Sequence, residues 1–552
     1  MLERLLRPFV DERVIFADDR LLVVDKPCGV PVHGGARERP DDLVTRLARF
    51  LEARGEQAYL GVHQRLDQEA SGVLAFTRSR ELNAAIAREI EARTARRRYV
   101  ACVALPARGA ASALSERGVL EHRIERGAGD RMRAVRTGGK VAVSEYRVLE
   151  RAGARALLEL SLVTGRTHQL RVQLAELGTP IAGDGLYGGP RAPRLLLHAR
   201  ELELASLGSR FAAPVPRVFC EWLRQAGAGL GDAEDLRRAL LDAGSRRFSL
   251  LGHTDAFRLV NELGDQLPGV VIDAYGEFAV LAVSSDEARA RAPEIAELLV
   301  EHGVRGVYLK VRVRGDLRRA DAVALAPPQP IAGERAPDPL EVREGELRFG
   351  VSLGDGMSTG LFADQRENRD RIRGLARGKR VLNLFSYTCA FSVAAAHAGA
   401  AATVSVDLSS NALRRGRENL ERNALSAERH RLLRADAVDW LARARRQRSK
   451  YDLIVLDPPT FATTGKKSTF RAEQAYQFLA RDALSLLSPS GKLLAVTNHR
   501  GTSQAELRKI LRQAAAETKV RITQLKDLPA VLDCPAVLGE PSPSRSVLVT
   551  VA

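Results

Sequence analysis

The stretch HQRLDQEASG, residues 63 to 72, sets one carboxylate, Asp67, between an Arg-Leu pair and a Ser-Gly turn. Such an acid has four readings: a surface ion pair with Arg65, a turn or helix cap, a metal ligand, or a nucleophile. No His/Asp cluster has ligand spacing, so no metal is expected. The first two readings are the default for an isolated Asp, and the surroundings bear on the last. In SLVTGRTHQLRVQLAELGTPIAGDGLYGG, residues 161 to 189, Arg166, His168 and Arg171 fall on a Gly-bounded turn, and RRRYVA sets Tyr99 at the start of a strand.

A second set of acids lies in the other half. NLFSYTCAF follows a strand where a dinucleotide-binding protein would carry G-x-G-x-x-G, so that its backbone could approach a pyrophosphate. Those glycines are absent. A ligand with an adenosine but no phosphates needs no such approach, and S-adenosylmethionine is one. Asp407 ends the next strand (VSVDLS), where a carboxylate can accept two hydrogen bonds from ribose hydroxyls. Asp436 ends the one after (LLRAD), within reach of an adenine amino group. Either alone would more often be a helix N-cap, and two in succession favour the cofactor. DPPTF, Asp457 to Phe461, ends the fourth strand; its prolines stiffen the loop and Phe461 is suited to stack on a base.

The elements that must hold these residues are legible from the pattern. A chain of 552 residues exceeds one domain. Residues 1–210 read as short apolar runs alternating at period two and broken by Gly/Pro turns, an α+β mixed sheet. SRELNAAIAREIEAR is the clearest helix, Ser79 preceding a stripe of Leu82, Ile86 and Ile90. Residues 211–246, with two prolines and a Gly-interrupted helical run, predict a linker, and 247–345 a small α+β module ending in Pro-rich sequence. From 346 to 552 strands and helices alternate, predicting a doubly wound, mostly parallel α/β sheet that binds ligands at its strand carboxyl ends.

Composition narrows the partners. Lys and Arg number 85 against 68 Asp and Glu, a net charge of +17 and a pI near 10.1. That favours an anionic partner, nucleic acid before membrane surface, with an Arg-rich proteome as the bland alternative. No apolar run reaches the ~18 residues that span a bilayer, and nothing at Met1 reads as a signal peptide. A soluble cytoplasmic protein is expected. Five scattered cysteines give neither a disulfide framework nor zinc spacing.

With DKPCGVPVH, RLDQEASG, RRRYVA, the 161–189 stretch and LLLHARELEL, residues ~13 to 205 resemble the RluA family of RNA pseudouridine synthases. The resemblance implies a uridine detached from its ribose, rotated and rejoined through carbon 5 without a cofactor. Asp67 would act as nucleophile or sugar-proton acceptor, Arg166 would pair with it, and Tyr99 would stack on the flipped base. Arg65 would fill the gap or grip a phosphate, His168 and Arg171 would contact substrate, and Arg93, Arg96, Arg97 and Arg98 would meet the RNA backbone, unless they are a solvated helix end. The family's HRLD is here HQRLD, and its Thr-Ser-Gly is Ala70-Ser71-Gly72.

From about Phe257 onward, RLVN, LPGVVID, GLFADQRENR, VLNLFSYT, VDLS and LDPPTF resemble class I methyltransferases of the RlmI/RlmK type, which modify large-subunit ribosomal RNA. The resemblance implies a Rossmann-like fold with Gln365, Arg366, Asn383, Tyr387, Asp407, Asp436 and Asp457 around S-adenosylmethionine. Cys389 stands where relatives often have Gly. Relatives that make 5-methylcytidine carry a Cys after the fifth strand, where this chain has Asn498 in AVTNHRG. This segment resembles the RlmK side, which makes 7-methylguanosine, with Asn498 and Asp457 positioning the guanine. The expectation is a two-enzyme chain acting on ribosomal RNA. The alternatives are a 5-methylcytidine enzyme, a non-catalytic RNA-binding or assembly factor, and a small-molecule or protein methyltransferase.

Overall fold

The computed structural model describes residues 4–34, 41–92, 94–106, 114–129, 131–227, 229–312, 322–459, 461–463, 469–499, 501–537 and 544–552, with backbone alone at 322, 461–463 and 469–475. Eleven strands form the first sheet: β1 (Val14–Ala17), β2 (Leu21–Lys26), β3 (Gly61–Val62), β4 (Ser71–Thr77), β5 (Arg96–Ala104), β6 (Arg117–Arg126), β7 (Met132–Val135), β8 (Lys140–Ala152), β9 (Arg155–Leu162), β10 (Leu197–Leu204) and β11 (Ser209–Ala212). Their order is β1-β2-β4-β10-β5-β9-β8-β6-β7, with β3 on β4 and β11 on β10.

All six residues of β2 are buried, and the period of two sorts them. Leu22 and Val24 join the cluster under helix Leu43–Glu52, whereas Leu21 and Val23 pack with Leu82 and Ile86 of helix Arg80–Glu91. The Ser79 hydroxyl accepts from Leu82 N (3.4 Å), the cap expected from the sequence. The Ser-Gly of the opening motif has a structural reason. β4 meets β10 in parallel through Ser71 and Gly72. Gly72 has φ 114°, and a Cβ there would run into the Ala199 carbonyl.

The stretch expected to be a linker is packed. Phe211 belongs to β11. Helix Val218–Arg224 buries Val218, Phe219 and Trp222 against Val100, Cys102 and Leu196 of the first unit. Helix Ala233–Arg246, closed by a capping box at Asp232 and Asp235, buries Leu236, Leu240 and Leu241 against the middle unit. An apolar stripe at helical spacing is better buried than left on a tether.

The middle unit is a sheet ordered β12 (Ala256–Asn261), β13 (Val270–Tyr275), β14 (Phe278–Val283), β15 (Gly306–Val311) and β16 (Ala332–Gly333). The boundary expected at 345/346 instead falls at the turn of a hairpin, β17 (Leu340–Glu344) and β18 (Leu347–Val351). This hairpin buries Val342, Phe349 and Val351 among Tyr275 and Phe278 of the middle sheet and Val393 and Leu420 of the last unit. Splitting it would expose that shared core.

The last unit holds β19 (Arg380–Leu384), β20 (Ala402–Asp407), β21 (His430–Arg434), β22 (Tyr451–Leu456), a short pair β23 (Phe461–Thr463) and β24 (Thr469–Arg471), then β25 (Leu487–Thr497), β26 (Ile522–Leu528) and β27 (Arg545–Val551). The main sheet runs β21-β20-β19-β22-β25-β27-β26, with β27 antiparallel to both neighbours. Leu382, Ile454 and Leu493 face one apolar cluster, while Val381, Leu453 and Leu494 face the other, so both faces are covered as a doubly wound sheet requires. Strand order reverses between β20-β19 and β22, which opens a crevice at the carboxyl ends. No helix of the described residues is long and apolar enough to cross a membrane.

A buried charge cluster ties the units together. Arg247, at 1% exposure, forks onto Asp265 (2.5 and 2.7 Å) and also donates to the Asp533 carbonyl (2.7 Å) of the last unit. Burial raises the Asp265 carboxyl, but Arg247 and Arg246 outweigh it and hold it below the ordinary value. Asp265→Ala, which strands both guanidiniums, is expected to cost about 3–5 kcal/mol in urea unfolding. A loss below about 1 kcal/mol would contradict this role.

Candidate active sites

The first site is a cavity of about 710 Å³ over the middle of the first sheet, lined by Asp67, Tyr99, Arg65, Arg97, Arg166, His168 and Arg171 among others. Asp67 sits in the loop between β3 and β4. That loop is pinned from below by Lys26, which is fully buried and donates to three carbonyls, Pro27 (2.8 Å), Val30 (2.6 Å) and Gln68 (3.0 Å). Burial pushes this ammonium down to about 8, Cys28 and Glu69 opposing. Lys26 is a positioning group that sequence reading missed, although DKP carried it.

The ion pair expected of Arg166 is made by Arg171. Its Nη1 lies 3.3 Å from Asp67 Oδ2, and its Nε and Nη2 are held by both oxygens of Asp184 (2.7 and 2.8 Å). Asp184 is itself buried and accepts the backbone N–H groups of Leu186 and Tyr187. The reason is helix geometry: Arg171 is in the first turn of helix Gln169–Glu176, which faces the cavity floor. Arg166 lies ahead of that helix at the rim, where its Nε donates to the Val141 carbonyl (3.1 Å). Gln169 shapes this turn by accepting from Arg166 N (3.0 Å) and Thr164 Oγ1 (2.8 Å). His168 takes the left-handed conformation (φ 54°) and its Nδ1 shares a hydrogen bond with the Tyr187 hydroxyl (2.8 Å).

Tyr99 is buried on β5 between Leu160 and Ala199. Burial raises its phenol above the ordinary value, with Arg97 opposing and Asp67 adding, so the ring arrives protonated and suited to stacking. Residues two apart on a strand share a face, which sends Arg97 to the cavity with Tyr99. Arg98 therefore faces away: it pairs with the buried Glu201 (2.6 Å), which corrects its assignment to substrate. Arg96 and Arg65 are exposed, and Arg93 lies outside the described residues. His63, displaced by the extra Gln64, is engaged with Thr77 Oγ1 (3.0 Å) and Asn83 Oδ1 (3.3 Å).

The second site is the crevice of the last sheet. In the loop after β19, Phe385, Tyr387 and Cys389 alternate in the left-handed region (φ 57°, 46° and 61°), and the loop is held by its own backbone, Ser386 N donating to the Val406 carbonyl (3.0 Å) and Cys389 N to the Ser386 carbonyl (2.8 Å). Asp407 locks the loop, its Oδ2 accepting Tyr387 N (2.8 Å) and its Oδ1 Ser409 N (2.8 Å). Cys389 takes the left-handed conformation itself. Its side chain fits because helix Ser410–Arg422 has Gly416 there, where a Cβ would lie 2.5 Å from the sulfur. Burial pushes this thiol up to about 11.

Several residues expected to touch cofactor have other partners. Asn383 is buried and donates to Ser392 Oγ (3.0 Å) beneath the loop. Arg366 forks onto the buried Asp533 (3.0 and 2.6 Å), and Gln365 donates to Ser544 Oγ (2.6 Å). Asp436 caps the next helix through Oδ1, which accepts Val438 N (2.8 Å) and Asp439 N (3.3 Å). Asn383, Arg366 and Gln365 are thus tied into the scaffold, while the cap leaves Asp436 its Oδ2 oxygen. Asp457 follows β22. Asn498 follows β25, which is paired with β22, so both share the strand-end edge. The Phe461 side chain lies outside the described residues. The exposed aromatic present is Phe362, tilted on Tyr387 at 5.4 Å, with Leu408 and Met357 also exposed. Sequence reading quoted Phe362 in GLFADQRENR and Leu408 in VDLS without giving them a role, and it did not single out Met357.

Both units resemble known proteins. Residues 20–176 match the model of RNA pseudouridylate synthase and 328–537 that of S-adenosylmethionine-dependent methyltransferase. A Ribosomal RNA large subunit methyltransferase of Deinococcus radiodurans is 34% identical over 53% of this chain and 71% of its own length. Ribosomal RNA large subunit methyltransferase I of Cronobacter sakazakii is 32% identical over 52% and 72%. The chain belongs to this methyltransferase family, and its first unit carries an RNA pseudouridylate synthase domain. A solved structure described as a methyltransferase complexed with SAH, SMU.776, is 31% identical, covers 58% of this chain and 82% of its own, and superposes with a TM-score of 0.52.

The methyltransferase unit uses S-adenosylmethionine, and its residues fit that group. Each Asp407 oxygen accepts one backbone N–H and keeps a lone pair for a ribose hydroxyl. Phe362 and Leu408 offer apolar surface to a purine. The bound sulfonium supplies an electrophilic methyl group, and the synthase unit needs no cofactor.

Asp67→Asn removes the carboxylate charge with little change of shape, so it should abolish pseudouridine formation and leave methyl transfer near normal. Equal loss of both in a folded variant would sink the separation of the sites. Burial, with Asp364 adding and Arg369 opposing, pushes the Asp457 carboxyl up to about 7. A raised carboxyl favours folding while protonated, and that contribution fades as pH climbs from about 4 to about 7. In urea unfolding of the cofactor-free enzyme, Asp457→Asn should gain stability over the parent from pH 5 to pH 7, levelling near about 4 kcal/mol. A pH-independent difference would refute it.

Proposed function

We propose that this chain is a cytoplasmic, bifunctional modifier of ribosomal RNA of the large subunit, isomerising one uridine and methylating one base at guanine N7. The synthase reading rests on one observation, the convergence of Asp67, Tyr99 and the Arg171–Asp184 fork in a single cavity. The carboxylate is in place to attack or deprotonate the ribose, the phenol ring to stack on the turned base, and Arg97 and Arg65 to meet phosphates. Ribosomal RNA as substrate is supported by the names of the relatives and by the net charge of +17.

The choice of N7 is supported by the state of the thiols. Carbon 5 of cytosine is a poor nucleophile and needs a thiolate added at carbon 6, whereas guanine N7 already has a lone pair and needs only alignment. Cys389 is fully buried with its thiol raised. Cys534, which sequence reading did not place near this site, is also buried, its thiol raised chiefly by burial in surroundings that include Asp364. Asn498 and Asp457 share the strand-end edge, offering a neutral amide and a carboxylate to a guanine edge. Digestion of RNA methylated by the purified enzyme should yield 7-methylguanosine. The finding of 5-methylcytidine, lost on Cys534→Ala or Cys389→Ala, would overturn the assignment.

A further inference from the structure

Between the synthase unit and the rest of the chain lies a cleft of about 860 Å³ that neither reaction uses. One wall is the loop directly after the catalytic carboxylate, Gln68 and Glu69, with Arg194 beside it. The other wall carries Ser249, Leu532 and Ala536, the last two from the segment between β26 and β27. Gln68 and Pro31 also line the Asp67 cavity, so the cleft adjoins the synthase site across a single loop.

Three arginines line it. Arg46 is matched by Asp41 (2.6 Å) and Arg246 by Asp265. Arg194 donates to Ser71 Oγ (2.8 Å) and has no carboxylate in ion-pair range among the described residues. A part-exposed guanidinium without a counter-ion at a cleft wall suits a phosphate. Leu532 faces the cleft at 70% exposure, the highest among the exposed large hydrophobic side chains. It is presented by anchors on its C-terminal side: Asp533 is held by Arg366 and by Arg258 N (2.8 Å), and the Pro535 carbonyl by Asn261 Nδ2 (2.8 Å). A fixed apolar side chain opposite an unmatched guanidinium is the pairing that a base and its phosphate require.

We propose that this cleft binds single-stranded RNA continuous with the uridine held at Asp67, its backbone running past Arg194 and a base resting on Leu532, so that the methyltransferase unit supplies part of the synthase's substrate site. The inference rests on the reading of the chain as an RNA enzyme. It gives the fusion a physical purpose: affinity for one reaction is built partly on the other unit.

The test uses the full chain and charge changes at exposed positions away from both catalytic sets, Leu532→Glu, Ala536→Glu and Leu532→Lys. On a single-stranded RNA substrate, the Glu variants should raise KM for pseudouridine formation by about threefold to tenfold with kcat unchanged, and Leu532→Lys should lower it, the contrast shrinking as salt screens the phosphates. Loss of packing would not give opposite signs for Glu and Lys. An unchanged KM in all three, or a fall in kcat alone, would overturn the cleft proposal. An absence of pseudouridine formation by the parent enzyme would instead overturn the functional reading on which it rests.

Discussion

A guanidinium withdrawn from water must have its charge and its N–H groups answered, and this requirement shapes both halves of the molecule. In the synthase unit Arg171 is gripped by Asp184 before it reaches Asp67, so the Asp67 loop meets a cation already fixed in place. In the methyltransferase unit Arg366 is gripped by Asp533, which Arg247 approaches from the middle unit through the backbone. Each fork is costly to break from one side. The first fork meets the Asp67 loop, and the second joins the last unit to the middle one.

The same constraint explains how the units are joined. The segment carrying Asp533 and Cys534 is a loop of the last sheet, yet it is held by Arg247, Arg258 and Asn261 of the middle unit. The hairpin of β17 and β18 does the complementary work with apolar side chains, and Arg369 fastens it by a buried pair with Glu344 (2.7 Å). The middle unit is thus wedged into the methyltransferase, and helix Ala233–Arg246 carries the connection back to the synthase.

Much of this was legible in the sequence. Strand and helix alternation after residue 346 announced the doubly wound sheet, and the period-two runs before 210 announced the mixed one, because those patterns follow directly from which faces are buried. That Asp67 and Tyr99 would share one cavity was legible from their type and setting. The guanidinium was not: Arg166 and Arg171 lie five residues apart on one turn, and only the start of the helix at Gln169 decides which one points inward. Likewise Arg366 and Gln365 carry suitable chemistry at suitable positions, but whether a side chain meets ligand or a neighbour depends on contacts far apart in sequence, such as Arg366 with Asp533. The linker was misjudged for a related reason. Proline and glycine mark its turns, while the apolar faces of its two helices find partners that sequence order does not reveal.

The central claim is that one chain carries two separate RNA-modifying centres. Nucleotide-resolution mapping of pseudouridine and methylated bases in ribosomal RNA, from cells with and without the gene, tests it most directly. Loss of one pseudouridine and one methylated base from the large-subunit RNA, each restored separately by a variant retaining only the matching site, is the predicted result. An unchanged modification pattern at both kinds of position would contradict it.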